Sequence, residues 1–312
     1  MSIPIYLINL DRAQDRRDYM LSEIARVLPE AQVERVLAVD IKSPNYAPPP
    51  DYSPGNWKSD RWALGPSDIE IFRSHVDAWR KIAASGQSGI VLEDDLLFSD
   101  QFGDCVRALF EANQEGIIRL DATGNPALLE PACLQVGIFG LHQLRSIGAS
   151  AAAYMLDSGT AAKLAADART ERTLDDYLFD PYPSERGASG HGLDIFQLEP
   201  VVALQAQFGT FNKASRDMPD FLLMTKRVDM ANRKNKKFRG PFLYRLKKGI
   251  SAREAPSGAS RVSPLVSAIR TASLRNSSVR VSLIVHLLCC SKCYQRSGIK
   301  PRQVQASADE LT

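Results

Sequence analysis

The chain has 312 residues, 44% of them hydrophobic and 24% charged, with a formal net charge of +3. That balance excludes a disordered or collagen-like chain, and no uninterrupted apolar stretch reaches the roughly 20 residues of a membrane-spanning helix. Five cysteines, Cys105, Cys133, Cys289, Cys290 and Cys293, form no paired framework, which fits a reducing cytoplasm rather than a disulfide scaffold.

"IPIYLINL" (Ile3 to Leu10) is a short β-branched apolar run and reads as a buried strand, without the flanks of a secretory signal. From Asp15 the pattern turns helical, with Met20, Ile24 and Val27 on one face. "VERVLAVD" reads as a second strand ending at Asp40, so the chain opens as a parallel βαβ unit. A Pro-rich loop, "SPNYAPPPDYSPGNW", follows. Ser67 with Glu70 three residues on has the form of a capping box, and Ile69, Phe72, Val76 and Trp79 supply a helical stripe behind it. Ile90 to Leu92 is the next strand and "GIIRL" another. "SAAAYML" reads as a strand entering the helix "SGTAAKLAADA", and "TLDDYLF" as a short helix around Asp175 and Asp176. "LDIFQLEPVVALQ" resembles one last strand.

Beyond about Arg216 the composition changes. Lysines and arginines crowd the stretch from Lys226 to Lys248, with Phe238, Phe242, Leu243, Tyr244 and Leu246 between them, and Ser/Arg-rich sequence follows. The plan is therefore a catalytic domain over 1–215 and a basic, partly disordered extension over 216–312. The terminal C-C-x-x-C lacks the second pair or histidines that would complete a zinc site.

The chemistry concentrates in "IVLEDDLLF". Glu93, Asp94 and Asp95 stand together inside an apolar run, where adjacent like charges repel and burial without a partner is costly. After a buried strand they lie at its carboxyl end, where open α/β sheets bind ligands. Alternation sends Glu93 and Asp95 to one side and Asp94 to the other. Two carboxylates there suit Mn²⁺ or Mg²⁺, shared with waters and substrate phosphates. A solvated acidic turn is the plain alternative.

The order of these elements resembles glycosyltransferase family 25, typified by lipopolysaccharide galactosyltransferases. The resemblance rests on Ile8-Asn9-Leu10 followed by Asp15-Arg16-Arg17, on Ser74-His75 ahead of Trp79, and on Leu92-Glu93-Asp94-Asp95. "TLDDYLF" and "LEPVVALQ" complete it, over about Ile3 to Gln207. One departure stands out: where the family has Gly-Glu-Ile-Gly, this chain has Ser67-Asp68-Ile69-Glu70.

The resemblance implies a Rossmann-like GT-A fold with a mostly parallel central sheet, and an inverting transfer of a hexose, with galactose favoured, from a UDP-sugar. The acceptor would be a saccharide or glycolipid such as lipooligosaccharide or lipopolysaccharide core. Asp95 becomes the expected metal ligand, with Glu93 beside it and Asp94 contacting metal-bound water or ribose. Asp175 is the expected general base and Asp176 its alternative. Asn9, Arg12 and Arg16 would meet the nucleotide. Gln205 would stand beside metal or donor, and His75 is either a buried hydrogen-bonded histidine or a site residue. The basic extension suits an anionic membrane surface on the cytoplasmic side better than nucleic acid. The competing classes are a metal-dependent phosphoesterase and a non-catalytic saccharide- or nucleotide-binding module. The first usually recruits several histidines, whereas His75, His142, His191 and His286 form no paired motif here.

Overall fold

The computed structural model describes residues 2–48, 64–123, 125–170, 172–182, 191–208 and 260–262, all within one compact unit, Met1–Thr271. Much of the Pro-rich loop, the 215/216 boundary, the basic stretch and the terminal cysteines lie outside the described residues.

The chain opens as β1 (Ile3–Leu10), α1 (Gln14–Val27) and β2 (Ala31–Ala38), with β2 parallel to β1. Next come α2 (Pro66–Ser85), β3 (Gly89–Glu93) parallel to β1 on its other side, β4 (Leu96–Phe98) and α3 (Phe102–Ala112). β5 (Ile117–Arg119), the hairpin β6 (Ala127–Val136) and β7 (Phe139–Leu144), and β8 (Ala153–Leu156) follow. Then come α4 (Ser158–Ala166), α5 (Leu174–Leu178), β9 (Ile195–Glu199), β10 (Ala203–Gln205) and β11 (Ser260–Val262).

Among the described residues nine strands form one sheet in the order β11-β6-β7-β9-β5-β8-β3-β1-β2, while β10 and β4 make a separate antiparallel pair. The expected mostly parallel sheet is in fact mixed. Among the described residues only β1–β2, β1–β3 and β5–β9 run parallel, because β8 inserts antiparallel between β3 and β5 and the β6–β7 hairpin extends the far edge. The Rossmann-like portion is thus the β2-β1-β3 end, compatible with the fold class inferred above.

Alternation along β1 explains the layers. Ile3, Ile5 and Leu7 join Met20 and Ile24 of α1 and Phe102, Val106 and Leu109 of α3 in one core. Tyr6 and Ile8 join Phe72, Val76 and Trp79 of α2, Leu164 of α4 and Tyr177 of α5 in the other. A central strand buried on both faces must be apolar throughout, as this one is until Asn9.

Two readings need correction. α2 starts at Pro66 with Gly65 as its cap, and Asp68 accepts from the Gly65 N–H at 2.8 Å. Proline is pre-organised for the first turn, so the start lies upstream of Ser67 and leaves Glu70 inside the helix. Second, "LDIFQLEPVVALQ" is two strands rather than one. It breaks at Pro200, which has no N–H for a ladder, and β10 leaves the large sheet to pair with β4.

Candidate functional site

The carboxylate cluster sits where β3 ends. Glu93 is the last residue of β3, Asp94 and Asp95 form a turn, and β4 begins at Leu96. The pairing of β4 with β10 sets Gln205 opposite Leu96, and the Ala206 N–H donates to the Asp95 carbonyl at 2.8 Å. The same pairing aims the Gln205 side chain inward. Its Nε2 lies 3.1 Å from Glu93 Oε2 and 3.5 and 3.4 Å from the two Asp95 oxygens. Glu93 and Asp95 therefore converge on one amide nitrogen, as their alternation along the chain dictates.

Asp94 faces the other way. Register places Ile8 beside Glu93, so Asn9 comes next to Asp94 and donates to its Oδ2 at 2.7 Å. Arg16, from the first turns of α1, reaches Asp94 Oδ1 at 3.1 Å. Asn9 Nδ2 also donates to the Ala13 carbonyl, and its Oδ1 accepts from Arg35 Nε, which leaves Asn9 little freedom. Arg12 does not join this group; it pairs with Asp40 at 2.5 Å.

Charge accumulates where solvent is scarce. Burial, then the charges of Glu93 and Asp94, push the Asp95 carboxyl up to about 8, although the Gln205 amide and Arg16 pull it down. Burial also raises Asp94 against the opposing pull of Arg16 and Asn9. In Glu93 and Asp95 the site offers hard oxygen donors facing one another across the Gln205 amide nitrogen, while the Gln205 oxygen is turned away toward Ser150. Among the described residues no three His, Cys, Asp or Glu side chains gather into a metal-holding group. Two carboxylates are nevertheless what Mg²⁺ or Mn²⁺ takes from a protein when waters and diphosphate oxygens complete the shell, so these residues fit such an ion.

His75 is buried on α2. Its Nδ1 is 2.7 Å from the Tyr154 hydroxyl, which also accepts from Trp79 Nε1 at 2.8 Å, and its Nε2 is 3.4 Å from Glu93 Oε1. Burial drives the imidazole down to about 3, so the contact with Glu93 is that of a neutral ring with a carboxylate.

A second polar network lies on the other side of Gln205. Ser150 Oγ is 2.5 Å from Asp121 Oδ2 and 3.0 Å from Gln205 Oε1. Arg119, fully buried, bonds Gln197 and the Ala149 carbonyl and stands 3.6 Å from Asp121. Burial lowers the Arg119 guanidinium's pKa, while the charges of Asp121 and Asp175 raise it, which brings Asp175 of α5 within electrostatic range of the network. Asp176 is buried on the same helix, its carbonyl accepting from Arg172. Asp121, Ser150 and Tyr154 were not singled out from sequence. The one local signal was charge inside a buried strand run, Arg119 and Asp121 flanking Leu120, which folded proteins rarely leave unpaired.

The description of the family model that matches residues 2–179 is glycosyltransferase family 25, lipopolysaccharide biosynthesis protein. The chain belongs to glycosyltransferase family 25. More than half of the protein is covered, including Asn9, Arg16, His75, the Glu93–Asp95 cluster and the Asp175–Asp176 pair. Gln205 lies beyond the match, and its place at the site rests on the strand pairing alone. No curated protein matches the chain. The departure at Glu70 has a structural outcome: its carboxylate, 2% exposed, accepts from the Tyr46 hydroxyl at 3.1 Å and from Arg73 at 3.2 Å. It ties the segment after β2 to α2. Among the described residues no helix is long and apolar enough to cross a membrane.

Proposed function

We propose that this family 25 glycosyltransferase moves a hexose, with galactose favoured, from a UDP-sugar to a saccharide acceptor such as lipooligosaccharide or lipopolysaccharide core, inverting the anomeric centre on a GT-A fold. The observation that carries the reading is the convergence of Glu93 and Asp95 on Gln205 at the carboxyl end of β3, one strand from Asn9.

Asp95 and Glu93 would hold a divalent cation, Mn²⁺ or Mg²⁺, which when bound supplies Lewis-acid stabilisation of the leaving diphosphate. Asp94 is already paired with Arg16 and hydrogen-bonded by Asn9, so it orients these two side chains toward the nucleotide's ribose and phosphates rather than serving as a free charge. Asp175 takes the proton of the acceptor hydroxyl. The acceptor oxygen bonds to the anomeric carbon as the bond from that carbon to the diphosphate oxygen breaks, and UDP departs with the electron pair. One displacement inverts the centre. Asp176 is the alternative base; its deeper burial makes it less able to meet an acceptor.

The basic, aromatic-rich stretch from Lys226 to Lys248 is proposed to rest on an anionic membrane surface at the cytoplasmic face, next to a lipid-linked acceptor. The functional test is a screen of UDP-sugars with Mn²⁺ against lipooligosaccharide core. Transfer from UDP-galactose supports the reading. Release of UDP at the same rate with and without acceptor would replace it with a phosphoesterase.

A further inference from the structure

Three side chains line up behind the carboxylate pair, and counting their protons orders them. Trp79 Nε1 is a donor only, and it points at the Tyr154 oxygen. The Tyr154 hydroxyl carries one proton, and among the described residues its only other partner is His75 Nδ1. Suppose Nδ1 bore a proton. The Tyr154 oxygen would then receive two donors while its own proton, buried with the ring, had no acceptor. A doubly protonated imidazole has the same defect. With the proton on Nε2 the other groups are satisfied: Trp79 donates to Tyr154 and Tyr154 donates to Nδ1, while the buried Nε2–H makes no hydrogen bond among the described residues and lies 3.4 Å from Glu93 Oε1. The opposite tautomer would set a lone pair against a carboxylate.

We infer that Tyr154 is a positioning residue for the nucleotide-sugar site: with Trp79 behind it, it fixes the His75 tautomer so that Nε2–H, buried and with no hydrogen bond of its own among the described residues, is presented to the Glu93 carboxylate as that side chain meets the ligand. The assignment rests on the transferase reading only for what Glu93 then binds. It also gives the Ser-His ahead of a tryptophan a physical role, because His75 and Trp79 are one helical turn apart on α2 and both reach the single hydroxyl that β8 presents. Tyr154 stands opposite Val91 in the β3–β8 ladder, on the face that also carries Glu93. The hydroxyl therefore comes up beneath the carboxylate it serves through the imidazole. Stacking of the Tyr154 and His75 rings, 5.8 Å between centroids and 17° apart, keeps the imidazole plane from turning.

The test begins with nitrogen NMR of the histidine-labelled full-length protein without metal, with His75→Gln used to assign the resonance among the four histidines. The expected spectrum shows a neutral ring protonated at Nε2, becoming a mixture of tautomers in Tyr154→Phe. Protonation at Nδ1, a charged ring at neutral pH, or an unchanged tautomer in Tyr154→Phe overturns the assignment. Manganese titrations in the presence of UDP then read the consequence. His75→Leu, which removes the donor, weakens Mn²⁺ by roughly 10-fold, the usual loss when a ligand's supporting partner is removed. His75→Gln, which can still offer an amide N–H, restores most of it. Equal affinity in His75→Leu and the parent refutes the positioning role. A parent protein that binds no Mn²⁺ with UDP refutes the transferase reading instead, while the spectrum still decides the tautomer.

Discussion

Asp95→Asn removes the charge that the metal-free protein holds least easily, and its effect can be worked from the structure. Burial, with Glu93 and Asp94 adjacent, raises the Asp95 carboxyl from its ordinary 3.8 to about 8. Between those values the folded protein keeps a proton that the unfolded chain has released. Stability from this group is therefore complete below pH 3.8 and declines as pH rises toward about 8. At pH 7 the gap of about 3 units, at 1.36 kcal/mol each, sets a ceiling of roughly 4 kcal/mol. Relaxation of the half-buried Glu93 side brings the expected effect nearer to roughly 2 kcal/mol. Asparagine carries no charge, and its carbonyl can still accept from Gln205. In thermal melts with a chelator present, Asp95→Asn gains about 4–8 °C over the parent at pH 7. The gain shrinks toward pH 5 and grows toward pH 8. A gain independent of pH, or a variant that melts below the parent at pH 8, refutes the claim that burial beside Glu93 and Asp94 makes ionisation of Asp95 costly in the absence of a cation.

Other expectations follow from the same geometry. Asp94→Ala strands Arg16 and breaks the 2.7 Å bond from Asn9; chemical denaturation should register a loss of about 2–3 kcal/mol. Asp175→Asn retains UDP binding by calorimetry but loses transfer by at least about 100-fold, as removal of a general base does; full turnover in that variant moves the base to Asp176. Glu70→Ala removes the carboxylate that the Tyr46 hydroxyl and Arg73 bond, and denaturation should show about 1–2 kcal/mol lost, with faster proteolysis near Tyr46 than in the parent.

The legible parts of this protein were the local ones. The stripes Met20-Ile24-Val27 and Ile69-Phe72-Val76-Trp79 reveal α1 and α2 because helical periodicity is a property of neighbouring residues, and all seven side chains are buried. Glu93, Asp94 and Asp95 drew attention because charge interrupts an apolar strand. The β6–β7 hairpin was missed: Pro131 falls inside β6, two register shifts break its alternation, and several of its residues face solvent. The partners of the cluster were hidden for a different reason. Tyr154 meets His75 across 79 residues and Gln205 meets Glu93 across 112, so only the folded sheet brings them together. Serine at 150 and aspartate at 121 carry no periodic signal at all. Their link to Gln205 depends on a loop and the residues just past β5 meeting beside β10.

The most direct measurement is the calorimetric affinity of UDP for the parent and Asp95→Ala, each with Mn²⁺ and with a chelator. The account predicts binding by the parent in Mn²⁺ that disappears with the chelator and is absent from Asp95→Ala under both conditions. Binding of UDP that is indifferent to the metal, or unchanged affinity in Asp95→Ala, would contradict the assignment of Glu93 and Asp95 as the diphosphate's cation site.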